Sequence, residues 1–150
     1  MTIKIIPITC KNEAAALELK VASGQEGYVE SVGECLAEAR QFQCWRPVLI
    51  YNGEIPVGFA MYGLWKNEGA HGRVWLDRLL IDGRYQGLGY GRRAFQLLIE
   101  RLREEYHCKE IFLSVYKENE GAIALYKQEG FDFNGELDIH GEAVMIKQFQ

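Results

Sequence analysis

The chain has 150 residues, 48% hydrophobic and 25% charged, with a formal net charge of −4, a size that supports one self-sufficient core and predicts a single domain over residues 1–150. No run approaches the ~18 consecutive apolar residues of a membrane span, and the acidic balance speaks against nucleic acid, whose phosphates are met by clustered Lys and Arg. Four cysteines and three histidines with no C-x-x-C or i, i+4 spacing predict reduced thiols and no metal centre. The opening Met-Thr-Ile-Lys-Ile-Ile-Pro is too short for a signal-peptide core and lacks a small-residue cleavage site, so a cytoplasmic protein is expected.

Residues 3–8 alternate weakly and predict a first strand; residues 11–22, rich in Ala, Leu and Glu behind Asn12 as an N-cap, predict a helix. From Glu26 onward, Val29, Val32, Leu36 and Ala39 recur at three- and four-residue steps and lay one apolar stripe along a second helix, flanked by Glu30, Glu34 and Glu38. Residues 47–51 and 55–64 are β-rich runs separated by Asn52-Gly53, a pair that supplies positive φ at both centres of a type I′ hairpin turn. Residues 73–81 continue as strand, and residues 82–91 are glycine-rich turn. Phe95, Leu98, Ile99, Leu102 and Tyr106 then share one helix face. Residues 110–116 predict a strand and 120–128 a short helix stopped by Gly130. Residues 131–150 fold back as two strands about a turn near His140-Gly141. The order β-α-α-β-β-β-α-β-α-β-β mixes hairpins with crossovers and predicts an α/β fold, a mixed sheet with helices on both faces.

The turn after Leu79-Leu80-Ile81 carries glycines at 87, 89 and 91 just before a helix. Backbone N–H groups and a helix N-terminus then point at one spot, which suits an anion, and glycine lets a phosphate approach the amides. Arg92 and Arg93 add positive charge at its mouth. A Walker loop requires G-x-x-x-x-G-K-[ST] and a dinucleotide fingerprint requires G-x-G-x-x-G with an acid about twenty residues on; the spacing here fits neither.

Gln86-Gly87-Leu88-Gly89-Tyr90-Gly91 matches [QR]-x-x-G-x-[GA], and on this motif and the order of elements the chain resembles the GNAT N-acetyltransferase superfamily along essentially its whole length. The resemblance implies a mostly antiparallel GNAT-like sheet and acetyl-CoA as cofactor. It implies that the backbone of Leu79, Leu80 and Ile81 pairs with the pantetheine arm, that amides from Gly87 through Leu88, Gly89, Tyr90 and Gly91 to Arg92 hold the pyrophosphate, and that this strand splays from the next. Asn119-Glu120-Gly121-Ala122-Ile123-Ala124-Leu125-Tyr126 followed by Gly130-Phe131 is similar to the family's N-x-x-A-x-x-x-Y…G-F segment. By that likeness Asn119 contacts the cofactor arm. Tyr126 lies near the thioester sulfur, where a phenol of pKa about 10 can protonate the departing thiolate; as a residue it also reads as a core aromatic on the stripe Ala122, Leu125, Tyr126.

An alkyl ammonium must lose its proton before it attacks, at a cost of roughly 4–5 kcal/mol at pH 7. No histidine falls in the predicted cleft elements, which leaves carboxylates. Asp77, two residues before Leu79 on one strand, shares its side of the pleat and is the candidate base, with an ion pair to Arg73 or Arg78 as the structural alternative. Val57-Gly58-Phe59-Ala60-Met61-Tyr62, Trp75-Leu76-Asp77, Tyr126, Tyr28-Val29-Glu30-Ser31 and residues 133–138 resemble the bacterial spermidine/spermine N-acetyltransferases. Such an acceptor carries several ammonium groups, and Glu30, Glu34 and Asp77 offer carboxylates for them, with Tyr28, Trp75 and Tyr62 as aromatic walls. The alternative is that Glu30, Glu34 and Glu38 are the solvated face of a helix, and Glu38 is read that way. An amino acid, an aminoglycoside or a protein N-terminus are alternative acceptors. A non-catalytic acyl-CoA-binding module is the alternative class, against which the joint presence of Asp77 and Tyr126 speaks. No cysteine with a base partner falls in the cleft segments, so direct transfer in a ternary complex is expected, and the resemblance and the C-terminal hairpin favour a homodimer.

Overall fold

The computed structural model describes residues 1–27 and 30–150. Its strands are β1 (Ile3–Pro7), β2 (Trp45–Asn52), β3 (Ile55–Trp65), β4 (Arg73–Ile81), β5 (Glu110–Val115), β6 (Asp132–Leu137) and β7 (Ala143–Gln148); its helices are α1 (Glu13–Leu17), α2 (Val32–Gln41), α3 (Tyr90–Tyr106) and α4 (Glu120–Gln128). One seven-stranded sheet in the order β1-β2-β3-β4-β5-β7-β6 holds them together. Its pairs are antiparallel apart from β4 with β5, which run parallel and meet in register at Trp75 and Phe112. The mixed, mostly antiparallel sheet and the splay beside β4 agree with the expected fold.

Helices cover both faces because neighbouring residues of the central strands alternate between two cores. Val48, Ile50, Ala60 and Tyr62 pack with Phe95, Leu98 and Leu102 of α3. Leu49, Phe59 and Met61 pack on the other face with Ala16, Val32 and Leu36 from the region of α1 and α2. In β4 the alternation breaks: Leu76 belongs to the α3 side and Leu80, four residues on, to the opposite core. The register explains this, since Tyr62 pairs with Leu76 and Met61 with Arg78, leaving Asp77 as the extra residue of a β-bulge.

Three local readings are corrected. The first helix stops at Leu17, short of residue 22, because the backbone of Lys20 is taken by the turn after β4: its N–H donates to Asp82 Oδ2 (3.0 Å) and its carbonyl accepts from Gly83 N–H (2.8 Å). The second helix begins at Val32, where Ser31 and Glu34 form a reciprocal capping box, so Glu30 precedes the helix. The β2–β3 turn is centred on Gly53-Glu54, with Gly53 at φ +62° and Asn52 outside the left-handed region, so Asn52-Gly53 does not form the type I′ pair. Asn52 instead ties β1 to α3, accepting from Thr2 N–H (3.0 Å) and donating to the Tyr90 hydroxyl (3.0 Å).

Candidate active site

Two cavities of about 310 Å³ each open where β4 and β5 part, and they share Leu79, Asn119, Ala122 and Tyr126. The first is walled by β4, the glycine turn and α4. Leu79, Leu80, Ile81, Gln86, Gly87, Gly91, Asn119 and Tyr126 all line it, as do Val21 and Gln25 from the chain before α2. Because β5 leaves β4 after one matched pair, the edge of residues 79–81 is free of a strand partner on that side.

The turn is built to expose amides. Gly87 (φ +77°) and Gly89 (φ +88°, the N-cap of α3) take left-handed backbone that a side chain would strain. Gln86 fastens the loop, its Nε2 donating to the Ile81 carbonyl (2.9 Å) and to Gln25 Oε1 (2.8 Å). Buried Asp82 accepts from the Arg84 side chain and the backbone N–H groups of Arg84 and Lys20, and these bonds pull its carboxyl down to about 2. The side chains of Leu88, Tyr90 and Arg92 are not brought into the cavity. Leu88 is exposed, the Tyr90 ring packs near Tyr85 with its hydroxyl on Asn52, and Arg92 Nε sits 3.3 Å from Glu129 Oε1. Gly89 is the N-cap of α3 and does not line the cavity, and of the turn only Gln86, Gly87 and Gly91 do.

The second cavity is walled by the bulge of β4, the end of β5, α4, Glu30 and the β6–β7 turn. The pleat argument for Asp77 fails at the bulge, yet Asp77 lines this cavity together with Leu79 and Tyr126. Arg78 organises the acids: its Nη2 lies 2.7 Å from Glu30 and 3.8 Å from Glu38, and its Nη1 2.9 Å from Asp77 Oδ2. The contact with Asp77 has ion-pair distance without hydrogen-bond geometry, and Asp77 Oδ2 and Arg78 Nε are buried with no hydrogen-bond partner. Burial outweighs the Arg78 charge, and with Glu38 and Glu30 nearby the Asp77 carboxyl is pushed up to about 7. Burial, helped by Glu142, pushes the Tyr126 phenol up to about 12.

Glu34, Trp75 and Tyr62 are not in this cavity. The Glu34 carboxylate is spent in the capping box of α2, the Trp75 ring packs on Phe112 at 5.4 Å with Nε1 donating to Glu68, and the buried Tyr62 hydroxyl bonds Glu105 and Arg101 on the α3 side. Tyr28 lies outside the described residues. Glu38, expected on the solvated face, is about a third exposed and lies 3.8 Å from Arg78. The expectation that no histidine reaches the cleft is overturned too, since His140 lines it beside Glu142, with Ser114 and Tyr116 on the β5 side. These last residues sit on segments whose landing place depends on the β5-β7-β6 order, which no local pattern announces. Cys35 lies behind Arg78, buried and with its thiol pushed up to about 12 by burial, hence protonated. Among the described residues no cluster of three His, Cys, Asp or Glu side chains is placed to hold a metal.

Residues 15–131 match the family model described as the acetyltransferase (GNAT) family. The chain is 48% identical, over 99% of both lengths, to the spermine/spermidine N(1)-acetyltransferase of Bacillus subtilis (strain 168). It is 37% identical over 60 residues, 40% of this chain and 32% of the relative, to the spermidine N(1)-acetyltransferase of Escherichia coli (strain K12). In fold it is similar to an aminoglycoside acetyltransferase solved with coenzyme A (TM-score 0.81, 21% identity, 98% and 95% of the chains covered) and to the spermidine N-acetyltransferase of Vibrio cholerae solved with CoA and spermine (TM-score 0.75, 16% identity, 98% and 95% covered). The splayed β4–β5 edge, the glycine turn that begins α3 and the full-length identity lead to one conclusion: the chain belongs to the GNAT acetyltransferase family.

Proposed function

We propose that residues 1–150 act as one domain that transfers acetyl from acetyl-CoA to a primary amine of spermine or spermidine, by direct attack in a ternary complex. The observation that carries the chemistry is that two cavities meet at Tyr126, one running to the glycine turn and the other to Asp77. The residues fit the cofactor: a partnerless strand edge at 79–81 suits an amide-bearing arm, and the glycine turn with the α3 N-terminus suits a pyrophosphate. When bound, acetyl-CoA supplies the thioester. Asp77, ionised for part of its population near neutrality, accepts the proton of the incoming ammonium. The freed amine would form the C–N bond as the C–S bond breaks, the Tyr126 hydroxyl would give its proton to the departing thiolate, and the second proton of the acylated nitrogen would pass to the Tyr126 oxygen, which leaves a neutral amide and restores the phenol. A phenol held high remains protonated until that moment. Cys35, buried, protonated and outside the lining of both cavities, does not offer a thiolate there, which supports direct transfer. Carboxylates from separate segments, Glu30, Asp77 and Glu142, suit an acceptor with more than one cationic nitrogen, and the full-length relative named for spermine and spermidine supports that class.

Thiol release from acetyl-CoA, measured against spermidine, spermine, putrescine, lysine and peptide amines, tests the proposal. Turnover with the polyamines is expected, and Tyr126→Phe lowers kcat by about 100-fold or more with CoA affinity nearly unchanged. Release with amino acids or peptides alone removes the polyamine reading, and equal loss of turnover and CoA binding in the variant makes Tyr126 structural.

We further propose a cytoplasmic location, which four free thiols support because they suit a reducing compartment; cell fractionation checks it. No described helix is long and apolar enough to cross a membrane. A homodimer through the β6 edge completes the proposal, supported by a strand exposed along its whole length and by exposed Phe133, Leu137 and Ile139.

A further inference from the structure

Building on the polyamine reading, we infer that Glu142, at the tip of the β6–β7 hairpin, is the specificity-determining carboxylate of the acceptor cavity: it holds a second ammonium of the acceptor and so selects di- and polyamines over monoamines.

The placement of Glu142 is built in. Asp138 Oδ1 accepts from the N–H groups of both His140 and Glu142 (2.9 Å each), Asp138 N–H donates to the Glu142 carbonyl (2.8 Å), and Gly141 closes the turn at φ +80°. The tip is therefore held by the Asp138 carboxylate and backbone bonds without use of the Glu142 side chain, and Glu142 lines the cavity with Asp77, Glu30 and Tyr126.

What distinguishes Glu142 from the other acids there is its charge balance. Glu30 and Asp77 both lie within 3 Å of the Arg78 guanidinium, and Glu38 lies 3.8 Å from it; Glu142 belongs to none of these pairs. Its carboxyl is half-buried and is raised from its usual range chiefly by that burial and then by Asp138; Arg78 and His140 lower it by less, and Glu30 raises it least of all. A desolvated carboxylate short of a counter-charge, facing the proposed base across one cavity, is complementary to a cation that arrives with the substrate. The reacting nitrogen cannot be that cation, because it must be neutral when it attacks. A second ammonium further along the same molecule can be, and its charge is retained through the reaction. The interaction is thus made equally before and during acyl transfer, and it belongs in KM rather than kcat.

The test compares spermidine with an n-alkyl monoamine of similar length, the monoamine also measured as a competitor of spermidine so that its binding is read without requiring turnover. Glu142→Gln removes the charge and leaves the turn's backbone bonds. The expected result is a roughly 10- to 100-fold loss of kcat/KM for spermidine, carried by KM, with the monoamine's binding changed less than about 2-fold and Glu142→Asp recovering part of the loss. Equal losses for spermidine and monoamine would assign Glu142 a structural role, and no loss for either would remove it from the site; both outcomes overturn the inference. A wild-type protein inactive toward every polyamine fails the polyamine reading itself, a result visible before any variant is made.

Discussion

Asp77 and Asp82 lie five residues apart at the end of one strand, and their carboxyls are driven in opposite directions. Asp82 accepts hydrogen bonds from Arg84 and two backbone amides and is held down to about 2. Asp77 is carried by the bulge into a cavity where its Oδ2 finds no hydrogen bond, and burial lifts it to about 7. Burial alone therefore does not decide the direction; the supply of donors does. The unfolded carboxyl titrates near 3.8 and the folded one near 7, so between those values the folded protein binds more protons. Stability from this group is then lost as pH rises, and the penalty is complete above about 7 and absent below about 4. Asp77→Asn mimics the protonated form. It is expected to match the wild type in thermal stability near pH 4 and to exceed it at pH 8 by on the order of 1–3 kcal/mol, roughly 2–12 °C in Tm. Its turnover should fall by about 100-fold or more and lose the rise of kcat/KM with pH that centres near 7 in the wild type. A variant with wild-type kcat/KM at pH 7 would exclude Asp77 as the base, whatever its effect on melting.

At the scale of elements, the signals that could be read from the chain were local ones. The glycine turn, the amphipathic α3, the short α4 and the stop at Gly130 each declare themselves within a few residues, through φ requirements or a repeating apolar face. Glu34 and Glu38 show where locality ends. Both flank the same stripe, but the capping box at Ser31 consumes Glu34 while the position of Arg78, set by a bulge in a distant strand, claims Glu38. Likewise nothing near His140 or Glu142 indicates that their hairpin reaches the mouth of the cleft, because that depends on β7 lying between β5 and β6. The glycine turn supports a prediction of its own. A Cβ on Gly87 meets nothing within 4 Å, so the cost of Gly87→Ala in the free protein is the left-handed φ of +77°, about 1–2 kcal/mol. Gly91 has no such φ, and a Cβ there meets Ile81 Cγ1 at 3.5 Å, an ordinary contact. Gly87→Ala is thus expected to lower Tm by roughly 2–8 °C and to weaken CoA binding by about 10-fold or more through displaced amides, with Gly91→Ala leaving Tm nearly unchanged. Undiminished CoA affinity in a folded Gly87→Ala, measured by calorimetry, would place the pyrophosphate elsewhere.

The whole molecule is two antiparallel half-sheets, β1 to β4 and β5-β7-β6, joined by one parallel contact at Trp75 and Phe112 and bridged by the α3 crossover. That division creates the cleft, and it also leaves the second half-sheet ending in β6, whose six residues are all exposed. An edge strand with free N–H and C=O groups invites another strand, and isolated proteins blunt such edges with lysine or proline. Here β6 has no lysine or proline; beside Asp132, Glu136 and a register shift it carries exposed Phe133 and Leu137, with Ile139 just beyond at 95% exposure, and a groove of about 420 Å³ lined by Ile123, Phe133, Leu137 and Ala143, together with Lys117 and Glu136, runs beside it. A second copy would satisfy such an edge with closed symmetry, each β6 meeting the other and burying the same apolar side chains, as the proposed homodimer requires. The double variant Leu137→Lys, Ile139→Lys places like charges across that contact while touching neither core, so light scattering should give a dimer mass for the wild type and a monomer mass for the variant. Because an association that stabilises the folded chain does so by mass action, wild-type Tm should also rise with protein concentration and the variant's should not. A wild type that is monomeric at every concentration refutes the contact, and a variant that stays dimeric moves the interface off β6.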